Sequence, residues 1–351
     1  MAAPEYDAIV VGASFAGLAV ARQLRGRVLL LDRHEVGAVQ TSACGTPLWV
    51  PQALGLASSV LQVHDRLTVR AGSHTVTYDL SDVPFCTFDY KAFCRGLLAQ
   101  CAVRFLRTPV VEISANEIRT GEGTFSAPIV VDCSGWRGVV VNGVAGAQPA
   151  RGRYTFGLEA LTKVDDDQLT FFIDRAIVPR GLGWIFPVGT GSLIGIGSYA
   201  GVSKLRPLLE RYLAAQGTHA QHYHGTYFPN RLGAATVGRL FAVGDAAGQC
   251  LPLTAEGIRP ALFFGAECGK IVQRVLDSGV TLDAGLEIYR ALVERYRRAY
   301  RILQGVQWLT VHAPQRLLAA VTALAARYPL LPRWWPRYGQ FAYFGTAGTS
   351  A

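Results

Sequence analysis

Short apolar runs, glycine turns and helical stretches follow one another along the chain. Tyr6–Val11 (YDAIVV) is a continuous, β-branched apolar run, the pattern of a strand buried on both faces. It leads into Gly12-Ala-Ser14-Phe15-Ala16-Gly17 and a helical stretch to Leu24. A second apolar run, Val28–Leu31, ends in Asp32, 20 residues after Gly12. This order predicts a βαβ unit. Arg66–Leu80 alternates polar and apolar positions about Ala71-Gly72-Ser73, predicting an antiparallel hairpin. Phe88–Gln100 predicts a helix, and Val103–Leu106, Val110–Ile113 and Ile129–Asp132 predict further strands. Four strand-like runs between Tyr154 and Ser198 form a separate β-rich block, followed by an amphipathic helix over Val202–Gln216. Leu240–Val243 returns to a buried strand, then Gly244-Asp245-Ala246-Ala247 and a long helix from about Glu256 to Leu276. The chain from Leu282 is helical and apolar-basic, with Trp308, Trp334 and Trp335.

Composition narrows the class. The chain has 351 residues, half of them hydrophobic and only 17% charged, which excludes a disordered chain and leaves ample core to enclose a ligand. No uninterrupted apolar run reaches the ~18 residues of a spanning helix. Met1–Asp7 lacks the basic and apolar regions of a signal peptide, so a cytoplasmic location is expected. The net charge of +9 comes almost entirely from Arg, since Lys occupies only positions 91, 163, 204 and 270. Without a dense basic run or a recognisable binding motif, nucleic acid is not an expected partner. The seven cysteines include no C-x-x-C pair, so neither a zinc site nor a disulfide framework is expected.

The chemistry concentrates in the glycine turns. A strand-to-helix turn of this kind brings backbone N–H groups and the helix dipole to a pyrophosphate. Here the pattern is G-x-S-x-x-G, with Ser14 where the second glycine normally stands. Asp32 stands where a carboxylate accepts from ribose hydroxyls. Val130-Val-Asp132-Cys-Ser-Gly135-Trp-Arg137 closes another strand with D-x-x-G. Gly244-Asp245-Ala246-Ala247-Gly248 follows, with Pro252 and Glu256-Gly257-Ile258 behind it. A strand-end Asp binds ribityl or ribose hydroxyls, and helix-start amides face phosphate or an anionic ring edge.

In this order the motifs resemble those of FAD-dependent oxidoreductases of the para-hydroxybenzoate hydroxylase fold, and within them the geranylgeranyl reductase family, over roughly residues 6–275. The resemblance implies an α/β protein: a Rossmann-like FAD-binding domain interleaved with a β-sheet-rich substrate domain, with a helical C-terminal tail. Residues 1–65, 86–150 and 231–281 would form the FAD domain, 66–85 and 151–230 the substrate domain, and 282–351 the tail. Gly12, Ser14 and Gly17 would cradle the pyrophosphate and Asp32 the adenosine ribose, and Phe15, Ala16, Asp132 and Gly135 would contribute to the cofactor site. Asp245 would hold the ribityl chain or pyrophosphate, with Gly244 also in the cofactor site and Ala246, Ala247, Gly257 and Ile258 along the flavin ring. Cys44-Gly45 resembles the Cys-Gly near the flavin in that family. Trp184-Ile-Phe186-Pro187 resembles its substrate-cavity signature, with Leu182 in place of Tyr. Where the family has an Arg that reaches FAD, this chain has Tyr90, leaving Lys91 or Arg33 as substitutes.

With one dinucleotide fingerprint, the reductant would be NAD(P)H visiting transiently or a separate electron carrier. Two chemistries follow from the resemblance: reduction of a C=C bond in an apolar, prenyl-like substrate, or oxygen activation by a monooxygenase acting on an apolar or aromatic metabolite. A non-catalytic flavin-binding protein is the third reading. Cys44 is the candidate catalytic residue, as proton donor or as cavity lining. Glu256 is either a site carboxylate or a helix-start residue, and His222 and His224 form a strand-edge pair without a third ligand. The tail, with Leu317–Ala326 flanked by Arg316 and Arg327, and Trp334-Trp335 between Arg333 and Arg337, suits peripheral contact with a membrane surface.

Overall fold

The computed structural model describes residues 5–114, 117–146, 154–164 and 166–327. The chain opens with β1 (Ala8–Val11), α1 (Phe15–Ala21) and β2 (Val28–Asp32). Then come β3 (Gly45–Pro47), α2 (Trp49–Ala53), β4 (Val60–His64), β5 (Arg66–Ala71), β6 (His74–Asp79) and β7 (Phe85–Phe88). After α3 (Tyr90–Leu98) and β8 (Arg104–Arg107) follow β9 (Val110–Ile113), β10 (Glu117–Thr120), β11 (Gly123–Ser126), β12 (Ile129–Asp132) and α4 (Val139–Ala145). The β-rich stretch holds β13 (Tyr154–Thr162), β14 (Leu169–Ile173), β15 (Gly181–Pro187), β16 (Ser192–Ser198), α5 (Arg206–Ala215) and β17 (His222–Pro229). Short strands β18 (Thr236–Val237) and β19 (Leu240–Ala242) precede α6 (Ile258–Leu276), α7 (Leu282–Glu294), α8 (Arg297–His312) and α9 (Gln315–Arg327).

These elements divide into two compact units. The first comprises Met1–Val39, Lys91–Arg153 and Phe228–Gln304. Its six-stranded sheet runs β18-β19-β12-β1-β2-β8, and every pair except β18–β19 is parallel. Parallel strands covered on both faces read as continuous apolar runs, which is why β1 (AIVV) and the first four residues of β2 (VLLL) are buried throughout. Helix α6 packs against α1 through two glycines. A Cβ on Gly265 would fall 2.7 Å from the Ala16 carbonyl oxygen and 2.8 Å from Ala19 Cβ, and one on Gly269 would fall 2.6 Å from the Val20 carbonyl oxygen. On the other side, Ile118, Phe125, Val140 and Val141 pack with Ile9, Leu29, Leu31 and Val130.

The second unit comprises Gln40–Tyr90, Tyr154–Tyr227 and Gly305–Ala351. Its seven-stranded sheet runs β17-β13-β16-β15-β14-β5-β6. Leu205, Leu209 and Leu213, at the start of α5 and along it, cover one face over Ala160, Ile185, Ile194 and Ile196. Residues 40–65, expected with the first Rossmann elements, cluster here because β3 and β4 both pair with β7. For the same reason Phe88, expected to open a helix, ends β7 opposite Val60, and α3 begins at Tyr90. The expected hairpin about Gly72 is β5–β6, with Gly72 at φ +60°. After Ser198 the chain reaches α5, and the tail beyond Leu282 is helical as far as described. Arg175 caps the end of α8, donating to the carbonyls of Thr310 (3.1 Å), Val311 (2.9 Å) and Ala313. Gln315 Nε2 donates to the Ile173 carbonyl at 3.0 Å and ties the start of α9 to β14. Trp334 and Trp335 lie outside the described residues.

The α1–α6 contact sets a direct expectation. Gly265→Ala should destabilise the chain by about 1–3 kcal/mol through overpacking. Gly305→Ala, in α8 with nothing within 4 Å of its Cβ position, should stabilise it by about 0.5–1 kcal/mol. Urea unfolding of both variants checks the pair.

Candidate functional site

In the first unit, the turn after β1 is built by steric necessity. Gly12 has φ +105°, and a Cβ there would lie 2.2 Å from the Cys133 carbonyl oxygen. A Cβ on Gly17 would lie 1.7 Å from the Gly12 carbonyl oxygen. Only glycine allows the turn, β12 and α1 to converge this closely. Ser14 is extended and starts α1 without capping it through its side chain. Phe15, Ala16 and Gly17 are buried in the first turn of the helix, where an α-helix leaves N–H groups without intrahelical acceptors. Asp32 closes the turn from below. Its carboxylate accepts from the Ala13 N–H and the His34 N–H, both at 2.8 Å.

The second glycine turn sits against the first. Gly244 has φ +68°, and a Cβ there would lie 2.9 Å from Ala16 Cβ. Gly244–Ala247 is a short 3-10 turn ended by Gly248, also left-handed at φ +67°. Asp245 within it is half-buried, and among the described residues its carboxylate accepts no hydrogen bond. Burial pushes its pKa up from 3.8 to about 7. Gly257, the N-cap of α6, would bring a Cβ to 3.8 Å from Asp245 Oδ1, and Ile258 begins the helix. Gly12, Ala16, Gly17, Asp245 and Gly257 thus stand in one neighbourhood. Two backbone turns, a helix start and a carboxyl group without a partner form a cradle of the kind a dinucleotide requires.

Several supports of this cradle carry no sequence signal. Gln249 is fully buried, and its side chain accepts from the Gly244 N–H at 2.7 Å and donates to Tyr289 Oη at 3.1 Å. Tyr289 donates to the Ala242 carbonyl at 3.2 Å, and Tyr300 to the Gln249 carbonyl at 2.5 Å. These three residues lie on a turn and two later helices, so only the fold unites them. Glu256 forms a bidentate pair with the fully buried Arg259, both contacts 2.8 Å.

Four other candidates lie in the first unit. Asp132 is fully buried, and its carboxylate accepts from the Ser134 N–H and hydroxyl and from the N–H groups of Val140 and Val141, at 2.6–2.9 Å. Burial raises its pKa against the pull of those four bonds. It thereby ties Ser134 to the start of α4. Gly135 (φ +76°) makes the turn after it. Arg33 and Lys91 are both exposed, and a Cβ on Gly37 would lie 2.8 Å from Lys91 Cα.

The remaining candidates belong to the second unit. Cys44 is buried, with a left-handed φ of 55°, and its thiol donates to the Ser42 carbonyl at 3.3 Å. A Cβ on Gly45 would fall 2.5 Å from the Phe186 ring and 2.7 Å from the Phe85 ring. Phe186 meets Phe85 and Phe171 edge-on, with centroids 6.2 and 5.5 Å apart. The Pro187 carbonyl accepts from the Thr87 hydroxyl at 2.6 Å. Trp184 Nε1 donates to Glu159, a buried residue without a sequence signal, at 2.7 Å. Of the histidine pair, His222 is exposed, and His224 pairs with Glu159 at 2.8 Å. Burial opposes the charge on His224, but the bond and charge of Glu159 and the Ser42 carbonyl outweigh it and raise its pKa. Among the described residues no group of three or more His, Cys, Asp or Glu could hold a metal ion.

The architecture is that of FAD-binding proteins of the para-hydroxybenzoate hydroxylase type. A geranylgeranyl bacteriochlorophyll reductase-like protein from Thermoplasma acidophilum superimposes with a TM-score of 0.80, covering 94% of this chain and 98% of that one at 18% identity. A probable FAD-dependent monooxygenase from Pseudomonas aeruginosa gives 0.69, covering 90% and 99% at 16% identity. In sequence, the chain is similar to the digeranylgeranylglycerophospholipid reductase of Methanosarcina acetivorans, 31% identical over 152 residues, or 40% of this chain and 36% of the relative. The match therefore spans well under half of that relative's length. No family model matches the chain.

A group whose folded pKa is raised to about 7 from 3.8 lowers stability as pH rises between those values. Asp245→Asn should therefore raise the melting temperature of the flavin-free chain at pH 8 and leave it nearly unchanged at pH 4. The same variant should weaken FAD binding. Thermal melts at the two pH values and a flavin titration check both.

Proposed function

We propose that the chain is an FAD-dependent oxidoreductase that reduces C=C bonds of an apolar, isoprenoid-like substrate, with NAD(P)H or a separate carrier as the source of electrons. Sequence similarity to digeranylgeranylglycerophospholipid reductases carries the reading, and the cradle of the first unit is consistent with it. When bound, FAD would supply two-electron chemistry that no side chain possesses. The protein's part is to bind, orient and exclude water. The Gly12–Gly17 turn and Asp32 would hold the adenosine half. Asp245, poised near neutrality, would exchange hydrogen bonds with a ribityl hydroxyl in either protonation state. Gly257 and Ile258 would border the ring, and Trp184, Phe186 and Pro187 of the second unit are the candidate substrate residues. Cys44 is the candidate proton donor.

Oxygenation is the second reading, favoured by the shared fold with an FAD-dependent monooxygenase. Anaerobic reduction of the flavin-loaded chain followed by polyprenyl substrates separates the two. The reductase reading expects flavin reoxidation with the product two mass units heavier per bond reduced. Reoxidation only by oxygen, with an oxygen atom gained by the substrate, would establish the second reading. Reoxidation by neither would leave a flavin-binding protein.

We also propose that the C-terminal helices touch an anionic membrane surface. Residues 295–351 carry eight arginines and no Asp or Glu, so eight of the nine net positive charges fall there. Trp308, Leu309, Leu317, Val321 and Leu324 are each more than half exposed, and the last three form one stripe of α9. Apolar side chains among arginines suit a lipid headgroup boundary. No described helix is long and apolar enough to cross a membrane. Flotation with vesicles containing phosphatidylglycerol should carry the full chain and lose a truncation at Ala313. Equal flotation of both would remove this proposal.

A further inference from the structure

One residue closes the Gly244–Gly248 turn on itself. Gln249 donates its backbone N–H to the Gly244 carbonyl at 3.0 Å, and its side-chain Oε1 accepts the Gly244 N–H at 2.7 Å. The two residues are thus bonded in both directions. The other polar groups of Gln249 reach later helices. Its Nε2 donates to Tyr289 Oη on α7 at 3.1 Å, and its carbonyl accepts from Tyr300 Oη on α8 at 2.5 Å. Tyr289 in turn donates to the carbonyl of Ala242, the last residue of β19, at 3.2 Å. A further brace runs through Gly233. Its N–H donates to the Ala247 carbonyl at 2.8 Å, and its own carbonyl accepts from Arg297 on α8 at 3.5 Å. All of these residues belong to the first unit.

Gln249, Tyr289 and Tyr300 are all buried. A buried amide bonded through both its oxygen and its nitrogen holds a single orientation, because turning it breaks both bonds at once where no water can replace them. The turn it holds needs such a clamp. Gly244 and Gly248 are both left-handed, at φ +68° and +67°, and glycine has more conformational freedom to lose than any other residue. Asp245 sits between them, so the clamp that fixes the glycines also fixes the carboxyl group. Two of its three members, Tyr289 and Tyr300, lie beyond the stretch that carries the FAD-type motifs. The helices α7 and α8 therefore reach the cradle through Gln249 alone among its named residues.

We propose that Gln249, Tyr289 and Tyr300 are positioning residues of the flavin seat, so that FAD binding and the docking of α7 and the start of α8 are linked. The consequence for FAD rests on the flavin reading, while the clamp itself is measurable without the cofactor. In the full chain, Gln249→Met keeps the length and removes both side-chain bonds. It should raise the Kd for FAD about tenfold or more, since apparent affinity falls with the fraction of chains whose turn is in the competent arrangement. Tyr300→Phe should raise it severalfold. Both should speed hydrogen exchange of the peptide carrying Gly244–Gln249. Val28→Ala, buried at the end of β2 away from Asp32, should cost stability and leave the Kd unchanged. FAD loading of the wild-type chain should slow exchange across α7 and the first turn of α8, because a ligand that binds only the ordered turn stabilises what is docked with it. Unchanged Kd or unchanged exchange in folded Gln249→Met would overturn the proposal, and Tyr300→Phe decides in the same way if that variant does not fold. An equal rise in Kd with Val28→Ala would overturn it too, as would exchange in α7 and α8 indifferent to FAD. A wild-type chain that binds no FAD would instead overturn the flavin reading, and exchange of the Gly244–Gln249 peptide in the flavin-free variants would then decide the clamp.

Discussion

The first unit depends on two helices approaching more closely than any side chain would allow. Gly265 and Gly269 of α6 lie directly on the backbone of α1. This contact brings the chain that follows β19 back onto the turn that follows β1, although more than 200 residues separate them. Gly244 then rests on Ala16, and Asp245, the next residue, faces Gly257 at the start of α6. Close packing of this kind is intolerant of added volume. The glycines are thus structural first, and the cradle is what their packing leaves behind.

The carboxylates of this unit show how burial sorts one residue type into different tasks. Asp132 is sealed in and accepts from Ser134, through its N–H and hydroxyl, and from two N–H groups at the start of α4. Asp32 clasps the glycine turn from its half-buried strand end. Asp245 has no donor among the described residues, and burial raises its pKa. A group left in that state costs stability in the free chain and regains it when a ligand supplies the missing hydrogen bond.

Much of the first unit was legible in the sequence because its signals are local. A continuous apolar strand, a glycine turn and an acid at the next strand end fall within 27 residues, Tyr6 to Asp32. The short strands β3, β4 and β7 were not legible, since three to five residues carry too little periodicity and their pairing is long-range. Asp132 has the same sequence context whether it caps a helix or holds a ligand, and only its four donors decide. Glu159 gave no sign because a carboxylate on an alternating strand ordinarily faces water. Its burial follows from Gly195, on a different strand, admitting the Trp184 ring.

The central claim is that the two glycine turns and Asp245 form the seat of a flavin. The most direct measurement is the flavin released by denaturing the purified chain, identified by chromatography and quantified against protein. The account predicts FAD approaching one molecule per chain, or reaching that ratio after incubation with excess FAD and gel filtration, with FMN and riboflavin not retained. A folded chain that retains no FAD after that incubation would contradict it.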